Sequence, residues 1–370
     1  AGQGCPGPSP YDRRMFGRKV LHVGERVAAV VAETPAIAAA ALAAIEVEYE
    51  ALPPVLSIEE ASAPGAPVLH DAVVEYVTGA PPDLDNRGAD PRDGRVLYQF
   101  PIGGDPRHNL AASVSGGIGD TAKGLAEADV VIEREYETSQ VQCTPREPHV
   151  AFTRLEGDRL VIHASTQVPW HVRRIVSRVL GIGESRVRVV KERVGGGYGS
   201  KQDVVVEDVA AFATWKTGRP VLWRLSREEE FTASRTRHPM KIAVRMGAKR
   251  DGTITAIEMK VLANTGPYGA HALTVPMNSC SKSLPLLPCD NARFEVTSWY
   301  TNIPPAGAYQ GYGAPQGSYA VQLACAEMAD ALGMDLLAFL EKNRVREGSR
   351  LEILKCLGEG REATAQTVVS

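Results

Sequence analysis

The chain has 370 residues, enough for two or three domains at about 100–200 residues each. Its apolar fraction of 44% and charged fraction of 23% are typical of a globular protein and exclude a largely disordered one. The formal net charge of −3 gives no basic field, and no apolar run approaches the roughly 20 residues of a membrane-spanning helix. We therefore expect neither a nucleic acid partner nor a membrane span.

The cysteines are scattered and form no C-x-x-C pair, which argues against a zinc or iron–sulfur site on this chain. We expect reduced thiols in a cytoplasmic protein. The amino end lacks the basic-then-apolar order of a secretory signal, and its glycine- and proline-rich opening without Met predicts a chain that begins inside a larger protein. The cysteines are Cys5, Cys143, Cys280, Cys289, Cys325 and Cys356.

The amino-terminal segment predicts a strand, a helix and a second strand. The apolar stretch KVLHVGERVAAVVAE predicts the first strand, and Thr34 followed by Pro35 supplies an N-cap and a first helical residue. The helix AIAAAALAAI leads to IEVEYEAL, whose alternation predicts the second strand. Residues 65–131, which are rich in Pro, Gly and Asp, are interpreted as a connecting segment, near whose end the helix DTAKGLAEA begins.

From residue 132 to residue 345 predicted strands and helices are mixed, which indicates an α+β domain. The pair Asp251-Gly252 indicates a tight hairpin. The predicted strands are DVVIEREYET, RLVIHAS, RVRVVKE, PVLWRLS, the hairpin MKIAVRMGAKRDGTITAIEMKVLANTG, and RFEVTSWYTN. The predicted helices are VRRIVSRVLG, VEDVAAFATWKTG and AVQLACAEMADALGM.

Residues 194–203, VGGGYGSKQD and here called loop 1, join a predicted strand to a predicted helix. A Walker A loop requires Ser or Thr after Gly-Lys, but Ser200-Lys201 precedes Gln202, and the third glycine of a Rossmann fingerprint is replaced by Ser200. The remaining function is exposure of backbone N–H groups in front of a helix, which suits an oxyanion or a metal-oxo ligand. The alternative is a tight turn without a ligand.

Residues 308–317, AYQGYGAPQG and here called loop 2, again alternate glycine with aromatic residues before a helix. Its aromatic rings could instead cap a core, but two such loops in one region favour a shared cleft. Gln167 ends the strand RLVIHAS and precedes a helix, where its amide can donate to a ligand or act as a neighbour of the helix cap. His149 and His238 are isolated in the sequence, and no metalloprotease or serine hydrolase motif is present.

Read together, these motifs resemble the molybdenum-binding part of the xanthine dehydrogenase and aldehyde oxidase family. The matching stretches are STQ, VGGGYGSKQD, LSREEEFTASRTRHPM, NTGPYG, TNIPPAGAYQGYGAPQG and ALGMDLLAFLEKN. The resemblance implies the later half of an α/β-hammerhead domain at residues 1–64 and a connecting segment at 65–131. It also implies the first molybdopterin-binding domain of the aldehyde oxidoreductase type at 132–345, followed by a tail at 346–370.

By this resemblance, both loops approach a molybdenum centre held by a pterin dithiolene, and no residue of the chain ligates the metal directly. Gln167 matches a glutamine that hydrogen-bonds an oxo ligand, and Gln202 matches a substrate-facing position; these two are the implied catalytic residues. Tyr312 matches an aromatic that stacks on a flat substrate, and Lys282 is the one cation where relatives place a substrate-polarising arginine. The implied cofactor-lining residues are Gln167, Gly196, Gly197, Tyr198, Gly199, Ala308, Tyr309, Gln310 and Gly311.

The resemblance further implies partners. The family's catalytic glutamate has no counterpart after Asn343, so the base is expected on a second molybdenum subunit or a missing carboxyl-terminal half. Glu147 and Glu228–Glu230 fall in segments that the family uses for packing. Electrons are expected to pass to [2Fe–2S] and FAD on partner subunits. Whether the pterin carries a cytosine dinucleotide stays open.

The implied function is hydroxylation of an aromatic N-heterocycle with oxygen from water, with xanthine or another purine as the first expectation. Oxidation of nicotinate or another pyridine, or of an aldehyde, is the alternative. Two departures bear on this choice: Gln310 replaces the arginine usual in loop 2, and Pro267 replaces the alanine of N-T-G-A-Y. A protein that binds or assembles the cofactor without turnover is a further alternative.

Overall fold

The computed structural model describes residues 12–70 and 103–357, together with the backbone of two short paired strands at 9–10 and 76–77. The strands are β1 (Ser9–Pro10), β2 (Tyr76–Val77), β3 (Leu110–Ile118), β4 (Val130–Thr138), β5 (Val150–Glu156), β6 (Arg159–Ala164), β7 (Val187–Lys191), β8 (Val221–Arg224), β9 (Met240–Ala248), β10 (Ile254–Gly266) and β11 (Ala292–Tyr300). The helices are α1 (Pro35–Ala43), α2 (Ile58–Ser62), α3 (Thr121–Ala126), α4 (Pro169–Leu180), α5 (Glu207–Thr217), α6 (Arg227–Ala233), α7 (Thr274–Ser281), α8 (Ala314–Leu332) and α9 (Leu336–Asn343).

Five strands form the larger sheet, in the order β3-β11-β10-β9-β4. Strands β10 and β11 are parallel, and the other neighbouring pairs are antiparallel. The β9–β10 hairpin predicted from Asp251-Gly252 is confirmed: the Gly252 amide donates to the Lys249 carbonyl at 2.9 Å, and Gly252 has φ +86°. Helices α7, α8 and α9 contribute Cys280, Met328 and Phe339 to the core of this sheet. Because α8 begins within loop 2, the end of loop 2 lies in this layer of helices.

Four strands form the smaller sheet, in the order β7-β6-β5-β8. Helices α4 and α5 bury Ile175, Val176 and Ala210 against it, as expected for helices with one apolar face. The predicted strands β6, β7 and β8 and helices α4 and α5 are confirmed. Strand β5 and helices α6 and α7 form as well, although the sequence analysis did not predict them.

The amino-terminal prediction is partly wrong. Helix α1 begins as predicted, because the Thr34 hydroxyl accepts from the Ile37 amide at 3.3 Å. The stretches before and after it form no strand among the described residues, which offer them no partner strand to satisfy their backbone groups. Helix α1 buries none of its residues, and the surrounding apolar side chains, such as Val31 and Tyr49, are exposed.

The connecting segment also contains an element that the sequence analysis missed. Much of the segment, at residues 71–75 and 78–102, lies outside the described residues. Strand β3 lies within it and pairs antiparallel with β11 at the edge of the larger sheet. Its sequence, LAASVSGGI, is composed of small residues without a clear period, so only the pairing with β11 reveals it. Helix α3 and strand β4 follow as predicted.

The described part of the tail, which ends at Leu357, packs against the core of the larger sheet. Ile353 and Leu357 are buried against the larger sheet's hydrophobic cluster, in and just after a short helical turn at Glu352–Lys355. Within the ranges that the structure describes, no helix combines the length and the apolar character that crossing a bilayer requires.

Candidate functional site

Gln167 and loop 1 follow two adjacent parallel strands. Gln167 lies between β6 and α4, and loop 1 lies between β7 and α5. The register places Ala164, the last residue of β6, opposite Lys191, the last residue of β7. Carboxyl ends of neighbouring parallel strands meet at one edge of a sheet, which is where ligands bind in many α/β proteins. The topology therefore brings Gln167 and loop 1 together.

Loop 1 and loop 2 are in direct contact although they lie about a hundred residues apart in the chain. Gly199 has φ +104°, and a Cβ atom added to it would lie 2.8 Å from the carbonyl carbon and oxygen of Ala308 and 2.9 Å from the Cα of Tyr309. Real Cβ atoms do not approach backbone so closely, so only glycine permits the contact. Loop 1 and loop 2, which the sequence analysis expects to share a cleft, therefore lie against each other.

Gln167 points its side chain at the glycines of loop 1. Its Oε1 accepts from the Gly199 amide at 3.0 Å, and a Cβ atom on Gly197 would lie 2.5 Å from that oxygen. Because Oε1 is committed to an N–H donor, the amide nitrogen Nε2 is directed elsewhere. Nε2 donates to no group in the described residues, and the side chain is exposed. Gln167 therefore presents a free N–H donor beside the loop.

Both loops contain backbone N–H groups for which the described residues offer no hydrogen-bond acceptor. In the part of the chain that the structure describes, the amides of residues 196–198 in loop 1 and of residues 308–311 in loop 2 donate to no carbonyl or side chain. Successive amides of this kind attract anionic or strongly accepting ligand atoms. The described residues contain no cluster of three or more His, Cys, Asp or Glu side chains suited to a metal ion. The donor set fits a cofactor held by its acceptor atoms.

A group of polar side chains around the buried Lys201 holds loop 1 in place. The Nζ of Lys201, which has no exposed surface, donates to the Glu147 carbonyl at 2.7 Å, to the Glu147 Oε2 at 3.0 Å and to the Ser165 hydroxyl at 2.8 Å. The same Oε2 accepts from the Gly195 amide at 2.7 Å. Burial opposes its charge, but hydrogen bonds from Ser165, Gly195 and Lys201 hold the pKa of Glu147 below its ordinary value. We call these four residues the loop 1 clamp.

Loop 2 is held by an arginine from the segment before β9. The Arg237 guanidinium donates to the Gln310 carbonyl at 2.8 Å and lies 3.9 Å over the ring of Tyr309. The same group donates to the Gln316 side chain at 3.2 Å in the first turn of α8. This cation–π and hydrogen-bond contact fixes the loop at both ends. It also means that RTRHPM, which sequence analysis did not assign to the site, supports it.

One tyrosine in each loop occupies the left-handed region of backbone space. Tyr198 has φ +51° and Tyr312 has φ +46°, a conformation that costs a bulky residue about 1 kcal/mol or more. Tyr198 is about half exposed, with its ring against Gly196. The Tyr312 hydroxyl instead points into the protein, at 2.6 Å from the Nδ1 of His271 and 2.7 Å from the Thr274 hydroxyl.

The remaining predicted site residues are placed differently from one another. Gln202 is half-buried in the short helical turn that ends loop 1, close to the cleft. Lys282 is exposed and caps the carboxyl end of α7, eight residues after Thr274, whose hydroxyl contacts that of Tyr312.

Several supporting residues were missed from the sequence because their partners are distant in it. Lys201 and Glu147 are 54 residues apart, and His149, which is isolated in the sequence, lies 2.8 Å from the Glu230 carboxylate. Lys201 lies in a loop, where a charged side chain is usually solvated, so its burial could not be read from the sequence. His149 and Glu230 carried no signal that single-sequence reasoning can detect.

The sequence matches two family models. Residues 103–344 match the molybdopterin cofactor-binding domain, and residues 3–53 match the aldehyde oxidase and xanthine dehydrogenase a/b hammerhead domain. The first match includes Gln167, loop 1 and loop 2.

Named relatives and a solved structure agree with these matches. The chain is 58% identical over 366 residues to the probable hypoxanthine oxidase XdhD of Escherichia coli (strain K12), covering 98% of this chain and 38% of that protein. It is 36% identical to the putative xanthine dehydrogenase molybdenum-binding subunit XdhA of the same strain, covering 91% and 40%. The aldehyde oxidoreductase of Desulfovibrio gigas superposes with a TM-score of 0.77 at 25% identity, covering 94% of this chain and 36% of that one. The chain thus spans about two-fifths of the length of these relatives.

Proposed function

This chain belongs to the molybdopterin cofactor-binding family of the aldehyde oxidases and xanthine dehydrogenases, and from that membership we propose that it holds the molybdenum–pterin cofactor between loop 1 and loop 2 during hydroxylation of a purine-type heterocycle. The observation that carries the proposal is the contact of two glycine loops whose amides at residues 196–198 and 308–311 have no acceptor among the described residues. The predicted fold, α+β with a partial hammerhead domain before a molybdopterin-binding domain, is confirmed.

In this proposal the residues of the chain donate hydrogen bonds to the cofactor, leave space for it and orient it. When bound, the molybdenum centre supplies the two-electron oxidation and the activated oxygen that the chemistry needs. Gln167 Nε2 would donate to an acceptor atom of the cofactor, since its Oε1 is committed to Gly199. The amides of residues 196–198 and 308–311 would hold further acceptor atoms, with Tyr198, Tyr309 and Gln310 shaping the walls. Donors fixed in advance avoid the reorganisation that water would require.

A purine-type substrate is favoured over a pyridine or an aldehyde by the relative at 58% identity, whose name is probable hypoxanthine oxidase. In this proposal the Tyr312 ring stacks on the flat substrate. Its hydroxyl cannot contact the substrate, because it is engaged by His271 and Thr274. Gln202, half-buried at the end of loop 1, would contact the polar edge of the substrate. In the same proposal Lys282, exposed at the carboxyl end of α7, contacts a polar group of the substrate.

The proton-accepting carboxylate is proposed to come from beyond this chain. Glu147 is directed into the loop 1 clamp, and Glu230 is directed at His149, so each already has a structural partner. Relatives are named as subunits, which supports assembly with a second molybdenum-binding polypeptide and with FAD and [2Fe–2S] subunits that accept the electrons. The described cysteines are all free thiols, which supports a cytoplasmic location.

The test isolates the native assembly that contains this chain and measures its molybdenum content and its hypoxanthine-dependent dye reduction. We expect Gln167→Ala to lower kcat about 100-fold, the usual cost of one lost donor to a reacting centre, while the molybdenum content stays within about twofold. Gln322→Ala, at an exposed position of α8, is the control and should match the parent.

The outcomes separate the candidates. Full activity of Gln167→Ala, or an assembly that carries no molybdenum, would contradict the proposal. Molybdenum without turnover of any purine, pyridine or aldehyde would favour the cofactor-binding or assembly role. Turnover of nicotinate in preference to hypoxanthine would move the substrate to the pyridine class.

A further inference from the structure

A chain of hydrogen bonds runs through the protein from loop 1 to loop 2. It begins at Asp203, the last residue of loop 1, whose Oδ1 lies 3.2 Å from the Nε2 of His271. The Nδ1 of His271 lies 2.6 Å from the hydroxyl of Tyr312 in loop 2. Asp203 and His271 are buried, and the imidazole meets the tyrosine ring edge-on with 5.4 Å between ring centres.

The Asp203 carboxylate sets the donor and the acceptor of the first hydrogen bond in this series. Burial opposes the charge of Asp203, but the guanidinium of Arg235 and the His271 ring hold the pKa of Asp203 well below its ordinary value. An ionised carboxylate only accepts hydrogen bonds, so the N–H group at Nε2 of His271 donates a hydrogen bond to Asp203. The other ring nitrogen, Nδ1, forms a hydrogen bond with the Tyr312 hydroxyl, which also forms one with the Thr274 hydroxyl.

Loop 2 needs such a support at Tyr312. The residue has φ +46°, a strained value for a tyrosine, and strained backbone persists only where its surroundings enforce it. On either side Gly311 and Gly313, at φ +89°, leave the backbone little resistance to other conformations. The hydroxyl contacts therefore fix the orientation of the ring together with its packing against the core of the larger sheet.

We propose that His271 is a positioning residue that couples loop 1 to loop 2, because its two ring nitrogens join Asp203 to the Tyr312 hydroxyl and so set the spacing of the cleft. The coupling is a property of this chain alone. Only its consequence, a correctly spaced cofactor and substrate site, rests on the function proposed above.

The test measures amide hydrogen exchange of the purified chain without added cofactor, comparing Tyr312→Phe and His271→Phe with the parent. Tyr312→Phe keeps the ring and removes only the hydroxyl. We expect the hydrogen-bonded amides of Gly195, Gly199 and Ser200 in loop 1 to exchange about tenfold faster in both variants, as the loss of one buried hydrogen bond implies. Amide exchange in loop 1 of the double variant should be no faster than in His271→Phe, since both changes break the same series of hydrogen bonds.

Thr274→Val is the matched control, because it removes the other partner of the Tyr312 hydroxyl and leaves the link to Asp203 intact. We expect it to leave exchange in loop 1 within about twofold of the parent. Amides of the β9–β10 hairpin report global unfolding and should not change in Tyr312→Phe, the variant that remains informative if His271→Phe folds poorly.

Three results would overturn the coupling: acceleration in Tyr312→Phe confined to loop 2, equal acceleration in loop 1 and the hairpin, or additive effects in the double variant. None of these bears on the molybdenum content of the native assembly. Failure of the coupling and failure of the proposed function are therefore distinguishable.

Discussion

Gly199 meets two requirements that no other residue type satisfies together. Its φ of +104° is strained for any residue with a side chain, and the space where a Cβ atom would stand is filled by the backbone of loop 2. The obstacle is main chain, which cannot move aside as the end of a flexible side chain can. The contact of the loops therefore depends on this one position.

Gly199→Ala is expected to lower the free energy of unfolding by about 3 kcal/mol, combining left-handed strain with displacement of the loop 2 backbone. The matched control is Gly181→Ala at the end of α4, where φ is +67° and nothing lies within 4 Å of the added methyl group. The control isolates the conformational cost, about 1 kcal/mol. Urea unfolding of both variants measures the difference, and equal losses would mean that the loops do not need their close contact.

At this scale the two loops and Gln167 could be picked out from the sequence, whereas the residues that support them could not. Glycines and an isolated Gln167 stand out because they break the surrounding apolar pattern. Lys201, Asp203 and His271 do not, since a charged or polar residue in a loop is usually solvated and its partner is far away in the sequence. Burial of such residues is decided by tertiary contacts that periodicity does not encode.

Among the elements, the loop 1 clamp shows how a strand end and a helix start are joined. Glu147 lies before β5, Ser165 follows β6, and Lys201 precedes α5, so three connections of the smaller sheet meet at one ammonium group. A buried charge is tolerated because each of its three protons has an acceptor.

Lys201→Met is expected to destabilise the chain by about 3–5 kcal/mol, because the Glu147 carboxylate loses its cation while partly buried. Adding Glu147→Gln to this variant should restore part of the loss, since the unpaired charge is then removed. Guanidinium unfolding of the single and double variants gives the coupling. A double variant that is less stable than Lys201→Met would show that the pair is not what holds the loop.

Elements with strong local signals were predicted well. Thr34 before Pro35, the Asp251-Gly252 turn and the apolar stretch of β10 each specify structure through nearby residues. Strand β3 and the stretches around α1 were not, because strand formation depends on a partner. Residues 110–118 find one in β11, while residues 20–32 find none among the described residues, whatever their β-branched content.

At the scale of the molecule, buried neutral histidines make stability depend on pH. Burial lowers the pKa of His22 and His171 to about 4 and that of His238 to about 3. These rings stay neutral in the folded chain but take up protons near pH 6.5 when it unfolds. The unfolded state then binds more protons, so stability falls as the pH drops from 6.5 towards 4.

Each fully buried histidine is expected to contribute a slope of up to about 1.4 kcal/mol per pH unit in that window. His238→Asn, at a site with no exposed surface, should flatten the dependence by about one proton, read from urea unfolding at pH 7, 6 and 5. Gln322→Ala, which changes no titratable group, is the control and should leave the slope unchanged. An unchanged slope in His238→Asn would mean that this ring is already charged in the folded state.

The amino-terminal segment is held to the rest of the molecule by polar contacts around the site. Arg26 forms a bidentate pair with Asp208 at 2.7 and 3.0 Å in the first turn of α5, and Glu25 accepts from the Tyr268 hydroxyl. The following helix α1 contributes no buried residue. The segment therefore supports the site through Glu25 and Arg26, and its exposed apolar residues need cover from elsewhere.

The contact between Gly199 and Ala308 also has a consequence for the order of assembly. Loop 1 and loop 2 are about a hundred residues apart, so the ribosome must synthesise the chain past loop 2 before they can meet. Every strand of both sheets precedes loop 2 in the chain. The cofactor site proposed above can therefore form only once the strands of both sheets have been made, and a bound pterin would join two segments synthesised at different times.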